Sequence, residues 1–281
     1  MCIRDRVLVV KLYSFIWLPY LKKILPILVQ TSGCQTIVLR LSRQLQQNEE
    51  GLHGLHDGQV IFGALDKEAI QFQEHGLLFN ANVIKGHKTG YFLDHRHNRK
   101  RIGELSKDKT VLDIFAYAGG FSVHALAGGA KEVVSLDISS QALEMASQNV
   151  ALNNKEANHT TMAIDAFKGL EELRLAGKRF DLVVVDPPSF AKKESEVTKA
   201  LHSYARLAKA AIKIVETGGI LLLASCSSRV STEAFFKVAI ESMEASGRPY
   251  MEMERSLHDV DHPIGFKEGG YLKSIYFRIE S

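Results

Sequence analysis

Beyond about Val83 the chain alternates between short apolar runs and longer amphipathic stretches. Thr110–Phe115, Glu132–Asp137, Thr161–Ile164, Phe180–Val185 and Ile220–Ser225 each read as a strand. Gly119-Gly120 opens a helix that runs through Leu126, and Ser139 or Ser140 is placed to cap a second helix reaching Asn149. A serine at that position accepts from the first free amides of a helix. A third helix follows Ile164, a fourth runs from about Glu196 to Val215, and Gly218-Gly219 turns the chain into the fifth strand. A helix through Phe235 then leads to two closing strands, Tyr250–Glu254 and Ser274–Ile279. Continuous apolar strands separated by helices predict a parallel sheet covered on both faces, a doubly wound α/β fold. Ligands of such sheets bind beyond the carboxyl ends of the strands, so chemistry is expected in the residues that follow each one.

Residues 1–82 follow another pattern. Val7–Tyr13 reads as a buried strand followed by a packed helix. Short strands are expected at Gln59–Leu65, Ala69–Gln73 and Leu77–Asn82, the last two joined by a turn at Glu74-His75-Gly76. Gln44–Gly58 is the most loop-like stretch. Together these predict a small amino-terminal α+β domain over 1–82 and a larger α/β domain over 83–281. The apolar stretch Val7–Val29 is interrupted by Lys11, Pro19, Lys22, Lys23 and Pro26, so it falls short of the ~20 apolar residues a membrane helix needs. It also lacks the cleavage site of a signal peptide. Residues 1–6 join the first strand with no turn or cap and read as a truncated start.

Composition changes this picture little. The 281 residues are 46% apolar and 24% charged, with a net charge of +3, as in an ordinary globular protein that can meet RNA without being built for it. The charge is concentrated between Lys85 and Lys109, where eight Lys and Arg residues stand against Asp94, Glu104 and Asp108, with His87, His95 and His97 interleaved. Such a run is either a solvated face or a strip that contacts phosphates. On the second reading Lys88, Arg96, Arg99 and Arg101 face the same side as the strand ends. Three scattered cysteines, Cys2, Cys34 and Cys226, make neither a disulfide framework nor a zinc site, so no metal is expected and a reducing cytoplasmic location follows.

The strand ends hold the candidate chemistry. After the first comes Asp113-Ile114-Phe115-Ala116-Tyr117-Ala118-Gly119-Gly120, a glycine-bearing turn that lets a cofactor approach the backbone. The full dinucleotide glycine fingerprint is absent, which argues against an NAD-dependent dehydrogenase. Asp113 lies inside the strand end, where a carboxylate is costly unless it serves a cation or a buried donor. Asp137, after the second strand, can accept both hydroxyls of a ribose or simply cap a helix. Asp165 can accept an adenine amino group or cap its loop. Asp186 opens Asp186-Pro187-Pro188-Ser189-Phe190, and two prolines stiffen the loop that aims its carboxylate. Cys226 sits in Ser225-Cys226-Ser227-Ser228 at the fifth strand end. A lone cysteine is often only a small buried residue. Its place at a strand end, flanked by serines, favours a nucleophile.

These motifs together resemble the Rossmann-like class I methyltransferases that use S-adenosylmethionine. More narrowly they resemble the bacterial 23S ribosomal RNA cytosine-C5 methyltransferases that carry an amino-terminal PUA domain, a domain with no counterpart here. His87-Lys88-Thr89-Gly90-Tyr91-Phe92-Leu93-Asp94-His95-Arg96, Asp261-His262-Pro263 and Glu268-Gly269-Gly270-Tyr271-Leu272-Lys273 belong to the same likeness. The resemblance covers the chain from about Val83 and extends loosely to the smaller domain. It implies S-adenosylmethionine contacts at Asp113, Phe115, Gly119, Asp137, Asp165 and Asp186, with Lys88 and Arg96 lying over the cofactor. It also implies catalysis by Cys226 and Asp186, and formation of 5-methylcytosine in RNA. The partner implied is ribosomal RNA, with no membrane, and a homodimer is left open. Serine follows Asp186-Pro187-Pro188 where many relatives have lysine. Two other functions stay open: a guanine methyltransferase on this fold, against which Cys226 argues, and a non-catalytic RNA-binding assembly factor.

Overall fold

The structure, a computed structural model, describes residues 2–4, 6–48, 50–86, 89–154 and 157–281. The chain divides into two compact units, Met1–Leu93 and Asp94–Ser281.

In the first unit β1 (Cys2–Arg4), β2 (Val7–Leu12), β3 (Thr36–Leu41) and β4 (Gln59–Phe62) form a sheet in that order. β2 and β3 are parallel, joined through α1 (Leu21–Ser32), and the other two pairs are antiparallel. α2 (Arg43–Gln46) follows β3 inside the stretch expected to be loop. β5 (Ala69–Glu74) and β6 (Leu77–Asn82) make the expected hairpin, whose two turn residues, His75 and Gly76, have φ of 52° and 81°. Both positive values match the twist of a tight hairpin turn.

Two expectations fail in this unit. No strand was anticipated at Thr36–Leu41, because Arg40 interrupts its apolar run. Arg40 is nonetheless buried, its charge met by Asp57 at 3.0 Å and by the carbonyls of Val83 and Gly86. The helix after β2 is not packed all round. Leu21 is the only buried residue of α1, and Ile16, Trp17, Tyr20 and Ile27 are exposed. Residues past Asn82 stay with this unit, since Val83 packs with Val9 and Val38 and the Tyr91 ring lies 4.9 Å from that of Phe72.

The second unit opens on α3 (Arg96–Leu105), a helix the apolar pattern misses because its buried face is largely polar: Asn98, Arg99 and Ile102. There follow β7 (Thr110–Ile114), α4 (Gly120–Ala127), β8 (Glu132–Asp137), α5 (Ser140–Asn153), β9 (His159–Ala163), α6 (Ala166–Leu175) and β10 (Phe180–Val185). α7 (Val197–Ile212), β11 (Val215–Ser225), α8 (Thr232–Glu244), β12 (Tyr250–Ser256) and β13 (Lys273–Ile279) complete the unit. The seven strands run β12-β13-β11-β10-β7-β8-β9, and only β13 is antiparallel to its neighbours. This is the expected Rossmann-like α/β fold. Alternate residues of each central strand feed opposite faces. Leu112, Ile114, Val183 and Val185 pack with α6, α7 and α8, while Val111, Leu182 and Val184 pack with α3 and α4. Burying each such side chain contributes about 1.5–3 kcal/mol, which is why the central strands are apolar on both sides.

One boundary differs. The fifth strand begins at Val215 rather than after Gly218-Gly219, with a register shift against β10. The glycines sit within an irregular strand and not in a turn before it. The chain leaves β7 in one direction toward β8 and β9 and reaches β10 and β11 in the other, so the crevice between β7 and β10 is the switch point of the sheet.

Candidate active site

The crevice is built first from the turn after β7. Phe115, Tyr117 and Gly119 all have positive φ, at 66°, 47° and 73°. That conformation costs a non-glycine residue of order 1–3 kcal/mol unless its surroundings impose it. Here the amides of Phe115 and Ala116 donate to the Leu136 carbonyl at 2.8 and 3.1 Å, and the Tyr117 amide donates to Asp137 Oδ2 at 2.9 Å. Gly119 has no room for a side chain, since a Cβ there would come within 2.8 Å of Ala146 Cβ. Asp137 Oδ1 accepts from the Ser139 amide at 2.9 Å. Each carboxylate oxygen thus takes one backbone donor and keeps a further lone pair for a ligand.

Asp113 lies beneath this turn, 1% exposed. Its Oδ2 accepts from the Ser122 amide and hydroxyl at 3.1 and 2.6 Å, whereas Oδ1 is buried and has no hydrogen-bond partner among the described residues. Burial raises its pKa to about 7; the Ser122 hydroxyl pulls it back, and the charges of Asp186 and Asp137 add to the rise. A buried, half-satisfied acid at this place calls for a donor or a cation. Asp165 is exposed and caps α6, its Oδ1 accepting from the Phe167 and Lys168 amides.

Asp186 stands directly after β10, and its Oδ1 is 3.1 Å from Nε2 of the buried His95. After β11, Cys226 Sγ lies 3.8 Å from the Pro187 carbonyl, so the thiol and the Asp186-Pro187-Pro188 loop adjoin. The preceding Ser225 is buried and donates to the Tyr204 hydroxyl, which burial drives up to a pKa of about 12. Lys273, opposite Ser225 in the β11–β13 register, is also buried. Its ammonium donates to the carbonyls of Ser227 and Val230 at 2.5 and 2.6 Å. Burial lowers its pKa to about 8, against the pull of Cys226 and Glu233.

The stretch between β12 and β13 is tied to α3 and to the residues before it. Tyr271 donates to Asp94 Oδ2 at 3.0 Å, and the Arg96 guanidinium lies 3.4 Å from Asp259 and 3.2 Å from Asp261. This bears on three of the four cations named for a phosphate strip in 85–109. Arg96 is matched by two carboxylates, Arg99 is only 3% exposed, and Arg101 is held by Glu254 and Glu104. Arg96 and Arg101 are thus engaged by carboxylates of the fold, while Lys85, Lys100 and Lys107 are exposed. Lys88 lies outside the described residues.

Of the expected site residues, Asp113, Phe115, Gly119, Asp137, Asp186 and Cys226 stand at the strand ends flanking the crevice. Asp165 stands one strand farther out, and Arg96 belongs to the ion pairs that hold the β12–β13 stretch. His95, Asn98, Ser122 and Lys273 were not anticipated as site residues. The available signal was a lysine opening the apolar strand Lys273–Ile279 and a His–Asn pair one turn apart on α3. A cavity of about 470 Å³ lined by Arg174, Arg179, Lys213, Glu216, Thr217 and Arg248 lies at the opposite, amino end of the sheet. The strand-end rule places ligands at the carboxyl end.

Among the described residues no helix is long and apolar enough to cross a membrane. Residues 61–271 match the family described as S-adenosylmethionine-dependent methyltransferase. The chain is 42% identical over 275 residues to a "Ribosomal RNA large subunit methyltransferase" of Deinococcus radiodurans, covering 98% of this chain and 67% of that one. It is 38% identical over 222 residues to "Ribosomal RNA large subunit methyltransferase I" of Aeromonas salmonicida, covering 78% of this chain and 56% of that one. A solved methyltransferase complexed with SAH shares the fold, with a TM-score of 0.82 at 20% identity over 98% of this chain and 70% of that one. The glycine turn, the strand order and a sequence match over most of the chain agree, and the protein belongs to the S-adenosylmethionine-dependent methyltransferases.

Proposed function

We propose that this chain methylates carbon 5 of a cytosine in large-subunit ribosomal RNA, with Cys226 as the nucleophile. The observation that carries this reading is the 3.8 Å approach of Cys226 Sγ to the Pro187 carbonyl, which sets a thiol beside the loop that begins with Asp186. The names borne by the two relatives support ribosomal RNA as the substrate.

The buried, unpartnered Asp113 Oδ1 fits a cofactor that carries positive charge. Asp113 would meet the cofactor's cationic end and Asp137 its ribose hydroxyls. Phe115 and Gly119 would line its approach, and Asp165 would meet the adenine amino group. Arg96 acts on the pocket through the stretch it holds, and Lys88, eight residues earlier in the sequence, would lie over the cofactor. Bound S-adenosylmethionine supplies an electrophilic methyl group, which carbon 5 takes once it has become nucleophilic.

The protein's part is to make it so. Cytosine C5 does not attack unaided. The Cys226 thiolate adds to C6, the electron pair moves onto the ring, and C5 gains enamine character. The buried Lys273 ammonium, bonded to the carbonyls of Ser227 and Val230, contributes positive charge beneath the loop that follows the thiol. Asp186 faces the pyrimidine edge and offsets charge as the adduct forms. After methyl transfer a base removes the C5 proton, the C6–S bond breaks, and the thiolate returns. The target base has to be flipped from a helix or taken from a single-stranded loop before a thiol can reach C6.

RNA containing 5-fluorocytosine tests this. Fluorine cannot leave as a proton does, so the C6 adduct persists. The expected result is a protein–RNA band that survives denaturing electrophoresis and is missing in Cys226→Ala. That variant should keep its fold and cofactor affinity, since removing one sulfur costs on the order of 1 kcal/mol. Methyl transfer retained by Cys226→Ala would overturn the carbon-5 assignment and favour a base nitrogen that needs no adduct.

A further inference from the structure

His95 is buried yet polar, and its partners arrive from three separate parts of the chain. Nε2 lies 3.1 Å from Asp186 Oδ1, after β10. Nδ1 lies 3.0 Å from Asn98 Nδ2, one turn along α3. The Asn98 amide is itself fixed. Its Nδ2 also donates to Ser274 Oγ at 3.0 Å, and its Oδ1 accepts from Ser256 Oγ at 2.7 Å and from the Tyr276 hydroxyl at 2.9 Å. Ser256 and Ser274 share a hydrogen bond at 2.6 Å. The Phe121 ring of α4 closes the remaining side, 5.5 Å from the imidazole.

This network sets the position of the imidazole proton. Tyr276 is a buried phenol whose pKa burial raises, so its hydrogen needs an acceptor, and Asn98 Oδ1 supplies it. With Oδ1 occupied, the Asn98 amide turns its N–H donors toward Ser274 and His95. Nδ1 must then accept, and the ring proton resides on Nε2, facing Asp186. Burial disfavours a second proton on the ring, but the carboxylates of Asp186 and Asp94 outweigh burial and Arg99 and raise its pKa. Against that pull, the Asn98 N–H already occupies the only free nitrogen.

We infer that His95, oriented by Asn98, is a positioning residue that holds Asp186 Oδ1 and so turns the second carboxylate oxygen toward the target base. The Asp186 side chain is 24% exposed and follows a strand directly, and the 3.1 Å contact with His95 bears on its rotation. A 3.1 Å contact from a rigid, buried ring does so without adding charge. Asp113 and Asp137 leave the crevice acidic, and a neutral donor suits an acceptor that must read a base edge. The inference rests on Asp186 being the group that meets the base.

The test is a double-mutant cycle on label transferred from S-adenosylmethionine to any base of bacterial large-subunit ribosomal RNA, so failure of the carbon-5 chemistry leaves it standing. His95→Phe keeps the ring volume against Phe121 and deletes the N–H. It should lower kcat about a hundredfold, as misplacement of a reacting partner does, with KM for RNA nearly unchanged. His95→Gln, whose amide can donate from the Nε2 position, should restore most of kcat. In an Asp186→Ala background His95→Phe should cost less than about twofold, because its whole effect passes through that carboxylate. Equal losses in both backgrounds, or a Gln variant no better than Phe, would overturn the inference. Nitrogen-15 spectra of the wild-type imidazole supply a readout that needs no substrate. They should show the neutral Nε2–H tautomer, and an Nδ1–H tautomer sinks the proposal whatever the variants do.

Discussion

At the carboxyl end of the seven-stranded sheet stand Asp113, Asp137 and Asp186, and at its amino end stand Arg179, Lys213 and Arg248. Two of these cations already have work within the fold. Arg248 donates to the carbonyls of Ile212 and Val215 at 2.7 Å each, and Arg179 donates to the Lys213 carbonyl, so both serve the chain where α7 ends. Positive charge at a helix carboxyl end is stabilising through the free carbonyls there. Among the carboxylates Asp113 is held against its preference. It is buried with one oxygen unpartnered among the described residues, and its neighbours' charges raise its pKa further. Charge of one kind is consumed by the architecture, and charge of the other is kept in reserve for a ligand. That contrast, more than the size of either cavity, separates the functional end from the structural one.

The comparison breaks most readily at Asp137. Asp137→Ala should weaken S-adenosylmethionine binding by about 1.5–3 kcal/mol, as expected when hydrogen bonds to a charged group are lost. The Tyr117 amide would lose its acceptor as well. Isothermal titration on the folded variant measures this, and an unchanged affinity removes Asp137 from the site.

At the other end, Arg248→Ala should lower the unfolding free energy by about 2 kcal/mol, since two carbonyls lose a charged donor. Methyl transfer per folded molecule should be unaffected. Urea melts paired with turnover assays decide it: a drop in turnover without a drop in stability would give the basic end a role the contrast denies it.

A smaller effect sharpens the acidic end. The folded pKa of Asp113, about 7, lies above that of a free carboxyl group. The stability linked to this group is therefore full below about pH 4 and lost as pH rises through about 7. A bound cation reverses the sign, because it prefers the ionised acid. Affinity for S-adenosylmethionine should rise up to tenfold, about 1.4 kcal/mol, between roughly pH 6 and 8. S-adenosylhomocysteine, which lacks the sulfonium charge, should gain less, and Asp113→Asn should flatten both curves. Parallel slopes for the two ligands would show that Asp113 does not sense the sulfonium. The smallest change belongs to Arg174→Ala, which removes an exposed pair with Glu171 at 2.7 Å. It should leave the thermal melt nearly unchanged and binding untouched, since solvent screens an exposed pair.

The inner strands of the larger unit, β7, β8, β10, β11 and β13, were legible in the sequence because burial on both faces writes an apolar run that no neighbour need complete. Asp113, Asp137, Asp186 and Cys226 could be singled out for the same reason, since each ends or follows such a run. In the first unit β3 escaped notice. Arg40 breaks its pattern, and only the fold reveals that Asp57 and two carbonyls neutralise it. α3 escaped because its buried face is polar.

The sequence alone therefore determined the α/β architecture, the crevice and the acids that edge it, all features encoded by residues close together along the chain. The tertiary structure decided which charges are free. The basic run at 85–109 looks uniform in sequence, yet Arg96 and Arg101 meet carboxylates more than 150 positions away and Arg99 is buried. The pairing of His95 with Asp186, its orientation through Asn98, and the burial of Lys273 beside Cys226 are likewise products of folding. Hydrophobic periodicity is a local signal, whereas the hydrogen bond that satisfies a buried polar group joins whatever the fold brings within 3 Å.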